Sequence, residues 1–418
     1  DLEKIGQIRV LGLGKAARAM SLPLADSLAG WLNAVEAPRG LLIPKQAFDS
    51  PRAGFEVQVG GHPVPDENSL KAGAKALELA RGLDENDLLI CLISGGGSAL
   101  MSAPHPGLTL DDLQSLTRSL LACGARIDEI NTLRRHLDQV KGGGLARAAS
   151  PARLVSLILS DVVGNPLEAI ASGPTAPDPT SKADGLAVLE KYGLTDKVPA
   201  AVIQTLENAP ETPKPGADLF RQVQNVLVGS NFLAAQAALA QAQAEGFQPH
   251  FLGDTWQGEA REVAKILCER LIADSKISRF SSKTGRLQNL APSGDDKILE
   301  SAQHPFCLVA GGETTVTIKG TGLGGRNQEL ALAAVNELAG RQNVLLVTLA
   351  TDGEDGPTDA AGAVVTGETQ ERARALNLDP DALLERNDSY HFFAALGDLL
   401  KPGSSGTNVN DLAFLFGF

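Results

Sequence analysis

Residues 89–102, LICLISGGGSALMS, constrain the fold of this chain more than any other stretch. An apolar run at 88–93 predicts a buried strand, and three consecutive glycines then lead into a helix. Glycines let a ligand approach the backbone closely, and the start of the new helix favours an anion. The turn therefore predicts a phosphate or carboxylate site; the alternative is a tight turn that serves only helix–sheet packing. The candidate binding residues are Ser94, Gly95, Gly96, Gly97 and Ser98.

A second strand–turn–helix pattern spans residues 9–20, RVLGLGKAARAM. It matches G-x-G-x-x-A, the dinucleotide-binding fingerprint, which requires an acidic residue about 20 positions further on, at the end of the second strand. That strand is predicted at 40–43 and is followed by Pro44 and Lys45, so the fingerprint is unsupported. A P-loop is excluded because Lys15 is followed by alanine rather than by Ser or Thr. Lys15 itself either reaches a ligand oxyanion from this turn or lies in solvent.

The third pattern, residues 156–175, reads SLILSDVVGNPLEAIASGPT. Its apolar strand places Asp161 at the carboxyl end, the edge at which open parallel sheets bind ligands. A carboxylate there suits Mg²⁺, which takes one or two carboxylates together with substrate phosphates. The alternative is that Asp161 caps the segment that follows. Asp161 is therefore the first of three candidate metal ligands.

Residues 311–332, GGETTVTIKGTGLGGRNQELAL, contain the strongest local signal. Glu313, the second candidate metal ligand, precedes an alternating strand predicted at 315–318. A glycine-rich loop then opens a helix with Arg326 in its first turn. A cation at a helix N-terminus is unfavourable unless it faces an anion, so Arg326 is a candidate ligand for a phosphate or carboxylate; the alternative is a solvated arginine. The loop and the helix start add four candidate binding residues, Gly322, Gly324, Gly325 and Asn327.

A fifth strand end, within residues 349–364, is rich in acidic side chains. Asp-Gly and Gly-Pro pairs predict turns there, so some of these acids are turn or capping residues. Asp352 comes directly after the strand and is the third candidate metal or hydroxyl ligand. The loop 406–411, GTNVND, precedes a last apolar strand.

Strands and helices alternate along the chain, which is typical of α/β proteins with largely parallel sheets. Strands are predicted at 8–12, 40–43, 56–59, 88–93, 154–159, 225–229, 248–252, 306–310, 314–319, 344–350 and 410–416. Helices are predicted at 15–30, 66–81, 98–103, 109–122, 127–149, 183–191, 199–208, 231–245, 258–273, 326–340, 368–376 and 389–396. The segment 208–219 predicts a loop or linker, and the polar stretch 274–303 predicts a long insertion.

Length and composition narrow the class of protein. A chain of 418 residues predicts two domains, and its net charge of −13 argues against binding to nucleic acid or to anionic membranes. No apolar run reaches the ~18 residues of a transmembrane helix, and the start DLEKIGQIRV is not typical of a signal peptide, which favours a cytoplasmic location. The cysteines lack metal-site spacing, and Cys91 and Cys307 in apolar strands predict buried, reduced thiols.

Long motifs along nearly the whole chain resemble the glycerate 2-kinase family, in which an N-terminal glycerate kinase domain precedes a C-terminal MOFRL domain. The motifs are GKAARAM (14–20), SGGGSALM (94–101), NTLRRHLDQVKGGGLA (131–146), SDVVGNPLEAIASGPT (160–175), GEAREVA (258–264), GGETTV (311–316), GGRNQELAL (324–332), TDGEDGPTDAAGAV (351–364) and GTNVND (406–411).

The resemblance implies a Rossmann-like, largely parallel N-terminal sheet domain at 1–224 and a smaller α/β C-terminal domain at 225–418, with a MOFRL core at 305–416. The active site is expected in the cleft between them. The implied reaction is ATP- and Mg²⁺-dependent phosphorylation of D-glycerate at C2 to 2-phosphoglycerate, with catalytic roles for Lys15 and Arg326; a monomer or homodimer is expected. The chain departs from the family in starting just before the GKAARAM strand, without a preceding helical segment, and in a longer stretch at 274–304.

Phosphoryl transfer needs the parts that these residues offer. Its charge lies on the phosphoryl oxygens, so backbone donors, a lysine, an arginine and a metal ion stabilise the transition state. Lys15 and Arg326 are assigned to the transferring phosphate and the substrate carboxylate, in an order that the residues leave open. Two other functions stay open: a hydroxypyruvate reductase using NAD(P)H, favoured by the G-x-G-x-x-A turn, and a non-catalytic sugar-acid or nucleotide sensor.

Overall fold

The structure, a computed structural model, describes residues 5–31, 39–49, 54–280 and 305–418; for 29–31 and 276–280 it describes the backbone alone. The chain divides into two compact units, Asp1–Gly229 and Ser230–Phe418. Among the helices in the described ranges, none is long and apolar enough to cross a lipid bilayer.

The first unit contains a six-stranded sheet. Its strands are β1 Ile8–Leu13, β2 Arg39–Ile43, β3 Phe55–Val57, β4 Leu88–Ile93, β5 Arg153–Leu159 and β6 Val223–Gly229. Its α-helices are α1 Ala17–Trp31, α2 Glu67–Ala80, α3 Gly97–Leu100, α4 Leu110–Ala122, α5 Ile127–His136, α6 Gly144–Ala149, α7 Lys182–Lys191 and α8 Ala200–Asn208. Short 3₁₀ turns occur at Ile170–Ser172 and Asp218–Gln222.

The strand order is β3-β2-β1-β4-β5-β6, and every neighbouring pair is parallel. This is the doubly wound order, in which the direction of winding reverses between β1 and β4. All residues of β4 are buried, as expected for a parallel strand that is covered on both faces. The predicted Rossmann-like, parallel N-terminal sheet is confirmed. Its reversal point makes the carboxyl ends of β1 and β4 the expected place for a ligand.

Helix α2 shows why the local sequence folds as it does. Asp66 precedes it and accepts a hydrogen bond from Ser69 N at 2.9 Å, while the Ser69 hydroxyl accepts one from Asp66 N at 3.1 Å. This capping box satisfies two N–H groups that the first turn cannot pair internally. The buried face of α2 carries small residues such as Ala72 and Ala76, which join the core formed by β1, β4 and β5.

The prediction of one helix over 127–149 is wrong. The structure has two helices there, because α5 ends at His136 and α6 begins at Gly144. Gly142 and Gly143, which separate them, have φ values of 52° and 80°. Glycine adopts this left-handed backbone without a steric penalty, and it terminates helices. The break places charged side chains from the intervening segment in the interior of the unit.

The second unit contains a seven-stranded sheet. Its strands are β7 Gln248–Phe251, β8 Trp256–Glu259, β9 Phe306–Thr315, β10 Val344–Ala350, β11 Gly362–Thr366, β12 Leu399–Leu400 and β13 Asp411–Gly417. Its helices are α9 Asn231–Ala244, α10 Ala260–Phe280, α11 Arg326–Leu338, α12 Thr369–Ala375, α13 Pro380–Glu385 and α14 Ser389–Leu396.

This second sheet is mixed rather than largely parallel. Its order is β12-β11-β10-β13-β9-β7, with β8 also paired to β9, and only the pairs that β7 and β8 make with β9 are parallel. Residues 351–361 between β10 and β11 are too few for the crossover helix that a parallel pair requires, so these strands pair antiparallel. The separate strand predicted at 314–319 is wrong, because β9 runs without interruption to Thr315.

The long insertion predicted at 274–303 is helical at its start, since α10 continues to Phe280. The remainder of that insertion lies outside the described residues.

All four cysteines are free. Burial raises the pKa of Cys91 and of Cys268 to about 12 and the pKa of Cys307 to about 11. These three side chains are therefore neutral thiols near pH 7. The predicted buried, reduced state of Cys91 and Cys307 is confirmed.

Candidate functional site

The turns that follow β1 and β4 form one interlocked structure. Ser94 N donates to the Leu13 carbonyl at 2.9 Å, and Lys15 N donates to the Gly95 carbonyl at 2.9 Å. The Ser94 hydroxyl accepts a further hydrogen bond, from Ala16 N at 3.0 Å. The glycine before Lys15 has φ of 112°, and a Cβ there would lie 2.4 Å from the Ser94 carbonyl oxygen. The two motifs that the sequence predicted separately therefore meet at the reversal point of the sheet.

Two lysines and a histidine lie at this edge. A Cβ on Gly96 would lie 3.2 Å from His62 Cδ2 and 3.4 Å from Lys15 Cγ, so the imidazole and the lysine stem both flank the turn. Lys45 follows β2, the strand next to β1. Burial lowers the pKa of His62, and the charges of Lys15 and Lys45 lower it further. Both ammonium groups are thus close enough to act on His62, which is neutral near pH 7.

These basic groups have no counter-ion among the residues that the structure describes. Within the ranges that the structure describes, the side chains of Lys15, Lys45 and His62 make no hydrogen bond and no ion pair. Like charges held near each other repel, and an anion placed between them removes that repulsion. The arrangement is therefore that of a site for a strongly anionic ligand.

Asp161 brings a carboxylate to the same turn. A Cβ on Gly95 would lie 1.7 Å from Asp161 Oδ2, so the carboxylate rests directly against the glycine backbone. Asp161 follows β5, which pairs with β4. A single carboxylate beside an anion-binding turn fits Mg²⁺, since this ion is commonly held by one or two carboxylates together with ligand phosphates.

Arg326, the candidate in the second unit, is held by two carboxylates. Its Nε and Nη2 donate to the two oxygens of Asp411 at 2.5 and 3.2 Å, and its Nη1 donates to Glu313 Oε1 at 2.6 Å. Burial acts to lower the pKa of Arg326, but Asp411 and Glu313 outweigh burial and raise the pKa above its ordinary value. A guanidinium has five N–H donors, so about two are left for a ligand.

The glycine-rich loop before α11 is bonded within its own unit. Gly322 N donates to a main-chain carbonyl at 2.9 Å, and the main-chain and side-chain N–H groups of Asn327 donate to Asp355 Oδ1 at 3.1 and 3.3 Å. A Cβ on Gly324 would lie 2.1 Å from a serine hydroxyl, and one on Gly325 would lie 2.3 Å from the carboxyl carbon of Asp355. Packing and helix capping thus account for these residues, and their nucleotide-binding roles stay predictions.

The three candidate metal ligands occupy different places. Asp161 belongs to the first unit, Glu313 pairs with Arg326, and the Asp352 carboxylate accepts from Glu354 N at 3.1 Å and Asn408 Nδ2 at 3.2 Å. Among the described residues, no three His, Cys, Asp or Glu side chains form a group that could hold a metal ion. Asp161 is the candidate whose position fits a metal bound together with phosphates.

Sequence reasoning misses three residues of these sites. Lys45 follows the strand predicted at 40–43, but in the sequence it serves only as evidence against a dinucleotide-binding fingerprint. His62 lies in the loop GGHPVPD between β3 and α2, where no periodicity or strand end singles it out. Asp411 is buried at the start of β13, and an acid opening an apolar strand is a usable signal for a basic partner.

The fold and the sites together define a class of protein: two-unit α/β proteins with a candidate oxyanion site at the reversal point of a parallel sheet. Each unit contains a match to a protein family. Residues 1–207 match a family described as "Domain of unknown function (DUF4147)", and residues 306–411 match the MOFRL family.

Known proteins resemble the chain over almost its full length. A D-glycerate 2-kinase from Thermotoga maritima is 39% identical over 411 residues, which are 98% of this chain and 90% of that protein. A crystal structure of glycerate kinase from Thermotoga maritima matches with a TM-score of 0.86 and 38% identity, covering 99% of this chain and 92% of that one. A relative from Agrobacterium vitis, 39% identical over 415 residues (99% of this chain, 88% of that protein), has the provisional name hydroxypyruvate reductase. The chain belongs to the glycerate 2-kinase family, as its motifs predict.

Proposed function

We propose that this chain is a glycerate 2-kinase that transfers the γ-phosphoryl group of ATP, with Mg²⁺, to the C2 hydroxyl of D-glycerate. Membership of the family supports the pair of substrates. The observation that most favours the proposal is a pair of lysines without counter-ions in the described residues: Lys15 lies beside the glycine-rich turn, and both Lys15 and Lys45 lower the pKa of His62 at that turn. A nucleoside triphosphate has enough negative charge to compensate both.

The residues divide the work as follows. Lys15 and Lys45 bind phosphate oxygens. Gly96 has no side chain, so these oxygens can approach the backbone of the turn closely. Asp161 would hold Mg²⁺, which supplies further neutralisation of phosphate charge when it is bound. Arg326 uses its remaining N–H donors to stabilise the transferring phosphoryl group. Since Lys15 and Arg326 belong to different units, their joint action on one phosphoryl group requires an active site between the units, and this is part of the proposal.

Lys45 also argues against the reductase alternative. Dinucleotide-binding sheets of this order carry a carboxylate at the end of the second strand, where it accepts hydrogen bonds from the ribose hydroxyls. This chain places a lysine after that strand, and a lysine cannot accept them. The free thiols of the chain are compatible with a reducing cytoplasmic location, which we include in the proposal.

The test is a parallel assay of the full chain. One reaction contains D-glycerate with ATP and Mg²⁺, and the other contains hydroxypyruvate with NADH; ³¹P NMR identifies the phosphorylated product. We expect 2-phosphoglycerate in the first reaction and no NADH oxidation in the second. Formation of 3-phosphoglycerate would overturn the C2 assignment, and NADH oxidation without phosphorylation would replace the kinase by the reductase.

A lysine variant tests the site itself. Lys15→Met should lower kcat/KM by at least about 100-fold, because it removes a charge-assisted contact to a phosphate. Lys71→Met is the matched control, since Lys71 is exposed on α2. Equal activity of the two variants would remove Lys15 from the catalytic machinery.

A further inference from the structure

A small pocket lies beside the glycine-rich turn, entirely within the first unit. Its free space is about 480 Å³, including the open mouth. Most of its wall is apolar and comes from α4 and α5, for example Leu116 and Leu133. The charged side chains that line it are Arg134, Asp138 and Lys141. Such a pocket fits a small ligand with one ionised end.

Two chain segments connect this pocket with the phosphate site. Ser98 lines the pocket and lies two residues after Gly96, the neighbour of Lys15 and His62. Pro65, three residues after His62, lines the pocket as well. A ligand in the pocket is therefore next to the turn to which the phosphates are assigned.

Asp138 and Lys141 compensate each other. Asp138 Oδ2 accepts from Lys141 Nζ at 2.5 Å and from Ser102 Oγ at 2.6 Å. Asp138 Oδ1 accepts from the main-chain N–H groups of Val140 at 3.0 Å and of Ala103 at 3.2 Å. The Ala103 N–H is also 3.1 Å from Oδ2, so each carboxylate oxygen has at least two donors and no capacity left for a second cation.

Arg134 is the uncompensated charge of the pocket. In the part of the chain that the structure describes, its half-buried guanidinium makes no hydrogen bond and no ion pair. Burial lowers the pKa of Arg134, but an arginine stays protonated near neutral pH. A buried cation without a partner destabilises a fold, and proteins tolerate such groups chiefly where a ligand binds. The pocket accordingly has one net positive charge.

We infer that Arg134 binds the carboxylate of the acceptor substrate, a small 2-hydroxycarboxylate; the identity of the acceptor rests on the proposed function. The planar guanidinium offers two parallel N–H donors, which match the two oxygens of a carboxylate. One net charge suits a monoanion, whereas the more highly charged phosphates are matched by Lys15 and Lys45. The Ser98 hydroxyl, 2.7 Å from Ser172 Oγ, is a further polar group on the side of the pocket nearest the turn.

The test separates the two substrates kinetically. Arg134→Gln should raise the KM for D-glycerate about 10- to 100-fold, the effect of losing one hydrogen-bonded charge, while the KM for ATP changes less than about threefold. Arg134→Lys keeps the charge without the planar fork and should restore part of the affinity. Arg118→Gln is the control, because Arg118 is exposed on α4, the helix that forms a wall of the pocket.

Thermal unfolding adds a readout that does not depend on turnover. Without substrate, the Tm of Arg134→Gln should equal or exceed that of the unaltered chain, since an unpaired charge is removed. A lower Tm would mean that Arg134 is a structural group and would overturn the inference. An unchanged KM for D-glycerate, or an equal rise in the KM for ATP, would overturn it too. Absence of D-glycerate phosphorylation by the unaltered chain would instead overturn the proposed function.

Discussion

The cations of this protein are of two kinds. Lys15, Lys45 and Arg134 have no counter-ion among the described residues, whereas Arg326 is held by Asp411 and Glu313. The uncompensated group gains the most from an incoming anion, because binding relieves repulsion or an unpaired burial. The paired arginine gains less, but its carboxylates fix its orientation before a ligand arrives. The proposed function accordingly divides binding and transition-state stabilisation between these two kinds of side chain.

The pKa of His62 is sensitive to the electrostatic field at the glycine-rich turn. Its folded-state pKa lies below the ordinary 6.5, first because of burial and then because of Lys15 and Lys45. Lys15→Met should therefore raise the pKa of His62, and bound ATP should raise it as well, since negative charge favours the imidazolium. An NMR titration of the histidine ring signals measures both shifts. Lys71→Met should leave the signal unchanged; the same shift in that variant would contradict a local field.

Arg326 should be sensitive even to replacement by another cation. Arg326→Lys keeps one positive charge but loses the fork that binds both oxygens of Asp411 and reaches Glu313. We expect kcat/KM to fall by about 100-fold or more, because the orientation of the donors is lost. Steady-state kinetics at saturating ATP measures the effect.

The matched control for Arg326 is Arg341→Lys, an exposed arginine of the same unit. Arg326→Ala should additionally lower the unfolding free energy by about 3 kcal/mol, because the buried Asp411 loses its partner. Wild-type kinetics in Arg326→Lys would show that Arg326 acts only in holding β9, β13 and α11 together.

At the scale of elements, turn chemistry was the most predictable part of the chain. The strand–glycine–helix patterns at Lys15 and at Gly95 can be read from a few adjacent residues. Their glycines are required because other groups lie close to the backbone of each turn at this edge of the parallel sheet. Hence the strands and the two turns follow from the sequence, whereas the meeting of the turns depends on the strand order that places β1 beside β4. The mixed pairing of the second sheet does not follow from the sequence either, because β8, β11 and β12 are short strands whose partners are set by tertiary packing.

The helix break before α6 shows why part of the candidate site was not predicted. The run 127–149 has helical periodicity on both sides of Gly142, so the pattern indicates one helix and gives no reason to place Lys141 in the interior. Arg134 likewise looks like a surface residue of an amphipathic helix. Its lack of a partner in the described ranges is a property of the packed structure, since it depends on Asp138 being occupied by other donors.

Asp355 caps helix α11, and this should appear in the pH dependence of stability. Its carboxylate accepts from Asn327 N and Gln328 N at 3.1 and 2.8 Å. Burial raises its pKa from 3.8 to about 6, with a further contribution from Asp411, against the lowering effect of those hydrogen bonds. Because the folded-state pKa lies above the unfolded one, the folded state binds the proton more tightly. This group therefore makes stability fall as pH rises from about 4 to 6, by up to about 3 kcal/mol.

Asp355→Asn should abolish that part of the pH dependence, since an amide does not titrate. Denaturant unfolding at pH 4, 5, 6 and 7 measures it. Glu354→Gln, an exposed neighbour, is the control and should keep the slope. A variant with an unaltered slope would assign the titration to other groups.

For the whole molecule, two facts set the conditions of catalysis. The chain has a net charge of −13, so its overall field does not attract anionic substrates, and local cations must hold them. Lys15 and Arg326 also lie in separate compact units. If one phosphoryl group contacts both side chains, as we propose, the two units enclose it, as in kinases that close around their substrates.

The proposed closure of the two units around their ligands can be measured in solution. Small-angle X-ray scattering should show a smaller radius of gyration with a non-hydrolysable ATP analogue and D-glycerate together than with either alone, because only both ligands complete the set of charges. Arg134→Gln should need more D-glycerate for the same change. A radius of gyration that does not respond to the ligand pair would contradict an active site formed by closure.

The shielding of the cysteines has a practical consequence. Burial keeps Cys91, Cys268 and Cys307 as unreactive thiols, whereas Cys123 is only half-buried, directly after α4. A maleimide dye at neutral pH will therefore react first with Cys123, at the end of α4, the helix that forms a wall of the Arg134 pocket. The native chain thus provides its own single attachment point for a fluorescent reporter, and binding of small acids can be followed optically without replacing any residue.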